Sequence, residues 1–168
     1  MPSIDRLDAK LLEILARDAR TGVVALASML GISRNTVQSR LKRLEDDGLL
    51  IGYRPELCLP RAGASVLAFI GLEIVQGRLA AVVKDLIAIP QVLEIHATTG
   101  REDLLVRVAA LNQAGLQDLI ERIVVIDGVV HSTTTLALTT PLPYRAIPLL
   151  QELTRNTGWG RSAPATKA

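Results

Sequence analysis

Apolar residues in the first third of the chain recur at helical spacing in three stretches. These stretches cover residues 4–17, 24–30 and 34–47. In the third stretch, Val37, Leu41 and Leu44 follow the i, i+4, i+7 spacing that places apolar side chains on one face of a helix. Gly31 can adopt the left-handed conformation that ends a helix, and Ser33 can cap the helix that follows. The pattern therefore predicts three helices, the last two of which form a helix-turn-helix.

The polar positions of the third predicted helix carry cations and amides, with no acid before Glu45. The helix dipole would favour acids in the first turns, so their absence indicates that this face meets an anion. Arg, Asn and Gln can form paired hydrogen bonds with purine edges, and Lys and Arg neutralise phosphates. We interpret the following side chains as a DNA-binding set: Arg34, Asn35, Thr36, Gln38, Ser39, Arg40, Lys42, Arg43 and Arg54. The alternative is a solvated amphipathic helix that binds nothing in particular.

The segment after the third helix is expected to continue the same domain. Residues 49–55 are typical of a short strand leading to a turn, which is how a winged helix-turn-helix continues. We therefore assign residues 1–53 to a winged helix-turn-helix domain. Residues 54–64 hold two prolines and a glycine among charged residues, a composition that favours a linker.

The second part of the chain alternates strand and helix patterns in the order strand, helix, strand, strand, helix, strand. The predicted elements cover residues 65–75, 79–87, 91–99, 104–110, 116–124 and 129–139. This order is that of a split βαβ, or ferredoxin-like, sandwich. The fold class is therefore α+β, with a ferredoxin-like βαββαβ domain over residues 65–153 that ends in a short helix. Residues 154–168 are expected to be disordered.

The first strand of this domain is apolar on both faces. Ala68, Ile70 and Leu72 lie on one side, and Leu67 and Phe69 on the other. Both helices of a ferredoxin-like fold pack on one face of the sheet, so the other face would meet water in a monomer. Exposure of that face would cost about 25 cal/mol per Å² of apolar surface. We expect a second copy to cover it, giving a homodimer that presents two reading helices to a palindromic DNA site.

Composition narrows the possible functions. The chain is 49% apolar but only 2% aromatic, its formal net charge is +2, and it has one cysteine. Because Cys58 has no partner, no internal disulfide can form, and the sequence has neither a signal peptide pattern nor an apolar run that could span a membrane. The two histidines, His96 and His131, lie in predicted strands without metal-ligand spacing. We expect a cytoplasmic protein with no membrane partner, no metal and no cofactor.

Motifs spread over residues 4–150 resemble those of the Lrp/AsnC, or feast/famine, family of bacterial and archaeal regulators. They read IDRLD at 4–8, LGIS at 30–33, RLKRLE at 40–45, GLLIGY at 48–53 and TGRED at 99–103. The resemblance implies an N-terminal DNA-binding domain and a C-terminal effector-binding and assembly domain of the RAM, or AsnC, type. It also implies homodimers that associate into tetramers or octamers, and an amino acid or related metabolite as effector.

In this family the effector binds around the hairpin between the second and third strands. The matching positions are Thr98, Thr99, Gly100, Arg101 and Asp103. Turn amides and the arginine could hold an α-carboxylate, and the aspartate an α-ammonium group. The alternative is a solvated hairpin turn. An arginine and a glutamate stand where the family commonly has an acidic and an aromatic residue, so the resemblance does not identify the ligand.

An enzyme is the alternative class of function for this sequence. The siroheme decarboxylases share this two-domain plan, and they would need a basic, histidine-containing pocket for a tetrapyrrole. This chain has two histidines, each in a predicted strand, and its third helix keeps residue types that contact bases. The sequence therefore predicts a DNA-binding transcriptional regulator without catalytic residues.

Overall fold

The computed structural model describes residues 4–160 and divides the chain into two compact units. The helical unit contains the residues up to Glu56 together with those from Pro143 onward, and the sheet unit contains Leu57–Leu142. The helices are α1 (Arg6–Arg17), α2 (Val23–Leu30), α3 (Arg34–Asp46), α4 (Leu79–Ile87), α5 (Gln113–Val124) and α6 (Ile147–Leu153). The strands are β1 (Val66–Ile74), β2 (Val92–Ala97), β3 (Leu104–Ala110) and β4 (Val129–Ala137). A single 3₁₀ turn lies at Leu59–Ala62.

The three predicted N-terminal helices are confirmed, and local sequence explains where they begin and end. The Asp5 side chain accepts the first free amides of α1, and the Asp8 carboxylate accepts the amide of Asp5, which completes a capping box. Gly31 ends α2 with a φ of 66°. The Ser33 hydroxyl then accepts the amide of Thr36 at 3.1 Å and caps α3, which begins at Arg34. These caps fix the tight turn between α2 and α3.

The sheet unit has the predicted βαββαβ order. Its four strands are antiparallel and are arranged β2-β3-β1-β4. Ile70 of β1 stands opposite Val106 of β3 and Thr134 of β4, which fixes the register of the central strands. One face of the sheet packs against α4 and α5, where Val82 and Ile123 are fully buried. The predicted ferredoxin-like fold is therefore confirmed.

The other face of the sheet is only partly covered within the described chain. Leu67 and Phe69 of β1 are half-buried, and Leu105 of β3 is 37% exposed. These side chains alternate with the buried positions of the same strands because successive residues of a strand point to opposite faces. The open face of the sheet unit thus mixes apolar and polar side chains, since Phe69 stands opposite Arg107 of β3 and Thr135 of β4.

The strand expected at residues 49–53 does not form. In the part of the chain that the structure describes, the sheet is built from β1 to β4 alone, and the backbone from Ile51 to Cys58 is irregular. The amides of Leu49 and Leu50 instead donate to the carbonyl of Leu44 at 3.0 and 2.9 Å. These two leucines turn back onto the helical core. The leucine side chains that predicted a strand instead pack against the helical core just after the end of α3.

The boundary expected at the C-terminus was also wrong. Residues 143–153 had been assigned to the ferredoxin-like domain, but they belong to the helical unit. Ile147 and Leu150 of α6 pack against its core, as does Trp159, and Thr154 is buried. Residues 154–160, expected to be disordered, are therefore ordered by the apolar surface that they contribute. The remainder of that expected tail, residues 161–168, lies outside the described residues.

Candidate nucleic-acid interface and ligand site

Helix α3 has one buried and one exposed face. Val37 and Leu44 are fully buried in the helical core, and Leu41 is half-buried. Thr36 is half-buried, and its hydroxyl lies 2.9 Å from that of Ser33. The exposed side chains of the predicted DNA-binding set are Arg34, Asn35, Gln38, Ser39, Lys42, Arg43 and Arg54. Side chains on the exposed face of α3 can therefore reach a ligand outside the helical unit.

The prediction that Arg40 contacts DNA is contradicted by its position. Arg40 is 9% exposed, and its guanidinium donates to Asp5 at 2.8 Å and to Asp8 at 2.7 Å. The cause is its place on the helix, three residues after Val37 and four before Leu44, which puts it on the inward face. Arg40 therefore joins α3 to the start of α1 and is removed from the candidate interface.

Arg43 is shared between the interface and the same charge cluster. Its side chain is 42% exposed, and its guanidinium is paired with the carboxylate of Asp8. Asp8 is fully buried between Arg40 and Arg43 and also accepts the amide of Asp5. A buried carboxylate is tolerated only where partners of this kind satisfy it. The two arginines thus hold α3 against α1.

The charges of this cluster are stabilised by their partners. Burial raises the pKa of Asp5, but hydrogen bonds from Arg40 and from the amides of Asp8 and Leu7 outweigh it and hold the pKa below the ordinary 3.8. Burial lowers the pKa of Arg40, but its bonds to Asp5 and Asp8 raise the pKa above its ordinary value. Asp5 and Arg40 are therefore both ionised at neutral pH.

Sequence reasoning did not predict the roles of Asp5 and Asp8. A signal for the cluster exists in the sequence. An arginine at the inward position of an amphipathic helix must find carboxylates, and Asp5 and Asp8 are capping-box acids at the start of the neighbouring helix. Their spacing alone could not show that they meet Arg40.

The remaining exposed face of α3 combines amides with a cation. Asn35 and Gln38 lie on this face, and Ser39 donates its hydroxyl proton to the carbonyl of Thr36 at 3.0 Å. Lys42 pairs with Asp46 at 3.2 Å, but both side chains are more than half exposed. An exposed pair of this kind contributes little, so the ammonium group can exchange its partner for a phosphate. This face offers groups for base edges and for phosphates side by side.

The residues predicted to bind an effector meet in the turn between β2 and β3. The Thr98 amide donates to the Asp103 carbonyl at 2.9 Å, and the Thr98 hydroxyl bonds the Glu102 carbonyl. Gly100 has a φ of 122°, which favours glycine. Thr99 and Arg101 are exposed beside it. All five predicted residues therefore belong to one compact turn.

Two contacts in this turn were not anticipated. One oxygen of the Asp103 carboxylate accepts the amide of Ile74 at 2.7 Å, so Asp103 caps the end of β1. The guanidinium of Arg101 pairs with Glu73 of β1 at 3.1 Å. The strand order explains both, because β1 is the neighbour of β3 and brings its last residues to the turn. Pairing of β1 with β3 was the missing information at the sequence level.

The described residues show neither a metal-binding cluster nor a membrane-spanning helix. Residues 4–160 hold no group of three His, Cys, Asp or Glu side chains that could bind a metal. No helix within the same range is long and apolar enough to cross a bilayer.

Comparison with known proteins gives matches in both units. Residues 4–45 match the family model of the AsnC-type helix-turn-helix domain, and residues 67–147 match that of the Lrp/AsnC ligand binding domain. An uncharacterised HTH-type transcriptional regulator of Pyrococcus furiosus is 33% identical over 141 residues, which cover 82% of this chain and 94% of that protein.

Solved structures give the same result. The structure of E. coli AsnC is similar with a TM-score of 0.80 at 28% identity, covering 87% of this chain and 99% of that one. A feast or famine regulatory protein from M. tuberculosis, complexed with L-methionine, is similar with a TM-score of 0.77 at 28% identity. The match covers 86% of this chain and 98% of that protein.

Proposed function

Because the chain belongs to the Lrp/AsnC family of transcriptional regulators, we propose that it binds a specific double-stranded DNA site through α3 and that an amino acid at the β2–β3 turn modulates this binding. The observation that carries the first half is the exposed face of α3. Asn35 and Gln38 are free to reach base edges there, and Lys42 lies on the same face. A helix in the major groove reads sequence with such amides and gains affinity from such cations.

Selection of duplexes from a random DNA pool tests this half. The full-length protein is expected to enrich a palindromic sequence, since a dimer presents two copies of α3 related by a two-fold axis. The enriched duplex should bind more tightly than a scrambled duplex of the same composition in an anisotropy titration. Equal affinity for the two duplexes would refute sequence-specific binding.

The proposed effector site is supported by the chemistry of the β2–β3 turn. Arg101 supplies a guanidinium for an α-carboxylate, and Gly100 leaves the backbone open for close approach. The carboxylate of Asp103 already holds the amide of Ile74 through one oxygen, so an ammonium group would use the other. A related regulator has been solved with L-methionine, which makes that amino acid the first ligand to test.

Calorimetry with each of the twenty amino acids tests the site. At least one amino acid is expected to release or absorb heat on binding. The Arg101→Gln variant is expected to bind that amino acid more weakly. Arg122→Gln, an exposed arginine of α5, serves as the control. Asp103→Ala is a poorer probe because it also frees the end of β1. An absence of heat from all twenty would refute an amino-acid effector.

We further propose that the open sheet face, represented by Phe69 and Leu105, forms the homodimer, and that dimers associate into tetramers or octamers. Effector binding would then shift the balance between assemblies, and each assembly presents a different set of α3 helices to DNA. A ligand can shift this balance only through its difference in affinity for the two forms.

The sheet unit is also joined to the helical unit by two covalent connections, at residues 56–57 and 142–143. We propose that both connections transmit the effect of the ligand to the helical unit.

The tetrapyrrole decarboxylase alternative gains no supporting observation. His96 lies on β2 and His131 on β4, which are the two edge strands of the sheet. Two strands separate them, so about 14 Å lies between their backbones at the usual strand spacing. The two histidines are therefore not adjacent in the sheet.

A further inference from the structure

The last described residues of the chain form a short strap across the helical unit. This C-terminal strap comprises residues 155–160, which follow α6. The amide of Arg6 donates to the carbonyl of Gly158 at 3.2 Å, and its guanidinium bonds the carbonyl of Arg155. Trp159 packs against the helical core. The strap is therefore bound to the start of α1 by its backbone and to the core by its one large side chain.

The strap also reaches α3 through Arg40. The Nη2 atom of Arg40 donates to the carbonyl of Trp159 at 3.4 Å, while Nη1 donates to Asp5 and Asp8. Arg40 lies on the inward face of α3, and its guanidinium contacts both α1 and the strap. Movement of the strap would expose the Arg40 guanidinium to solvent and break its hydrogen bond to the carbonyl of Trp159.

Gly160 shows how closely the strap lies on the cluster. Its φ is 68°, and a Cβ atom there would lie 2.6 Å from Nη2 of Arg40 and closer still to the Asp5 carboxylate. No side chain fits at this position without displacing the ion pair. Gly158 differs, because a Cβ atom there would meet only the amide nitrogen of Gly160, at an ordinary 3.9 Å. The chain thus offers two glycines, of which only one touches the cluster.

We propose that the C-terminal strap is a positioning element for α3: it closes over the Arg40–Asp5–Asp8 cluster and fixes the orientation in which α3 presents its exposed face. The proposal rests on the proposed DNA-binding function of α3. Base readout needs paired hydrogen bonds of defined geometry, whereas phosphate contacts carry no sequence information. A loosened α3 therefore loses specific binding before it loses general affinity for DNA.

A purely structural role would give a different result. If the strap only stabilised the fold, its loss would lower the folded fraction and reduce specific and random binding by the same factor. The ratio of the two affinities separates the roles, provided that it is measured at a temperature where circular dichroism shows each variant to be folded.

The experiment compares Gly160→Ala with Gly158→Ala as the matched control. Dissociation constants are measured for the duplex selected by the wild-type chain and for a scrambled duplex. Gly160→Ala is expected to lower the ratio of specific to random affinity about tenfold, the loss of one good base contact. Gly158→Ala is expected to leave the ratio unchanged. An unchanged ratio for Gly160→Ala would overturn the proposal.

Two truncated chains provide a second test if the Gly160→Ala variant does not fold. A chain ending at Asn156 removes most of the strap without inserting a clash, and a chain ending at Ala163 retains it all. The shorter chain is expected to show the reduced ratio and the longer chain the wild-type ratio. Equal ratios in the two chains would overturn the proposal as well.

Hydrogen exchange separates failure of the strap from failure of the DNA-binding proposal. If the wild-type chain selects no sequence, the proposed function fails and the strap is judged on exchange alone. Amides of α3 are expected to exchange faster in Gly160→Ala than in Gly158→Ala, because α3 has lost part of its anchor. Equal exchange in the two variants would show that the strap does not hold α3.

Discussion

At the scale of single residues, side chains of similar chemistry in α3 have different tasks. Arg40 and Lys42 are two positions apart, yet Arg40 is buried against two carboxylates and Lys42 is exposed. The difference follows from helical geometry, since only Arg40 lies on the same face as Val37 and Leu44. A basic run in a sequence is therefore not a list of DNA contacts. Burial decides which cations can reach a phosphate.

Lys42→Ala should weaken binding to all DNA sequences alike, because a phosphate contact carries no sequence information. The slope of log affinity against log salt concentration should fall by about 1, for one lost contact. Anisotropy titrations over a salt series on the selected and scrambled duplexes measure both effects. Lys84→Ala, which removes an exposed lysine of α4, is the charge-matched control and should change neither value.

Ionisation of Asp5 makes the stability of the helical unit depend on pH. The pKa of Asp5 in the folded chain lies below the ordinary 3.8, so the unfolded chain binds its proton first as the pH falls. The stability that ionised Asp5 contributes is complete above the unfolded pKa and is lost as the pH falls through the folded pKa. Asp5→Asn keeps a good N-cap residue but lacks the charge.

The free energy of unfolding, measured by denaturant titration below about pH 5, tests this dependence. The wild-type chain should lose more stability on acidification than Asp5→Asn, so the two curves should converge at low pH. Curves that stay parallel through this range would show that the Asp5 charge contributes nothing.

At the scale of elements, the sequence predicts best where apolar spacing is regular. The positions of α1 to α3 and of the six elements of the sheet unit follow from periodicity and turn residues. Helix α5 begins at Gln113, three residues before the expected start, because Asn112 accepts the amide of Gly115 and caps it. The segment at residues 49–53 and α6 were misassigned for a shared reason. Their apolar side chains close the helical core, and sequence periodicity does not show which core a short segment will join.

Leu150→Ala tests the assignment of α6 to the helical unit. The half-buried Leu150 packs on the helical core, so its truncation should lower the free energy of unfolding of that unit by about 1–3 kcal/mol. Leu149→Ala is the control, since Leu149 is 63% exposed. Hydrogen exchange of α1 and α3 amides localises the effect. Unchanged protection in α1 and α3 would contradict the assignment.

The sequence predicts where the two candidate sites lie but not all of the residues that support them. The exposed face of α3 and the β2–β3 turn both follow from residue types at defined spacing. The partners Asp5, Asp8 and Glu73 could not be found in this way, because each comes from an element distant in sequence. Helical spacing could have excluded Arg40 from the DNA-binding set, but the pairing of Glu73 with Arg101 needs the strand order.

At the scale of the whole molecule, the two units have complementary tasks in the proposed regulator. The helical unit carries the proposed DNA-binding face, and the sheet unit carries the proposed effector turn and the open sheet face. The chain leaves the helical unit after Glu56 and returns to it at Pro143. The described part of the segment that follows the sheet unit includes the strap, which contacts Arg40. This segment is the covalent route through which we propose that the effect of the ligand reaches the anchor of α3.

Leu105→Asp tests the role of the open sheet face. A charge placed on a buried apolar interface is costly, so the variant should dissociate into monomers that retain folded sheet units. Light scattering after size-exclusion chromatography measures the mass, and circular dichroism measures the fold. Val125→Asp, at a residue 78% exposed, should remain dimeric. A Leu105→Asp protein with the mass of the wild-type assembly would place the dimer contact elsewhere.

Sequence readout by α3 is the central claim of the proposed function, and Asn35→Ala tests it most directly. The measurement is the affinity of this variant and of the wild-type chain for the selected duplex and for its scrambled counterpart. We expect Asn35→Ala to lose about 1–3 kcal/mol on the selected duplex and little on the scrambled one. An equal loss on both duplexes, or none on either, would show that this face of α3 does not read the DNA sequence.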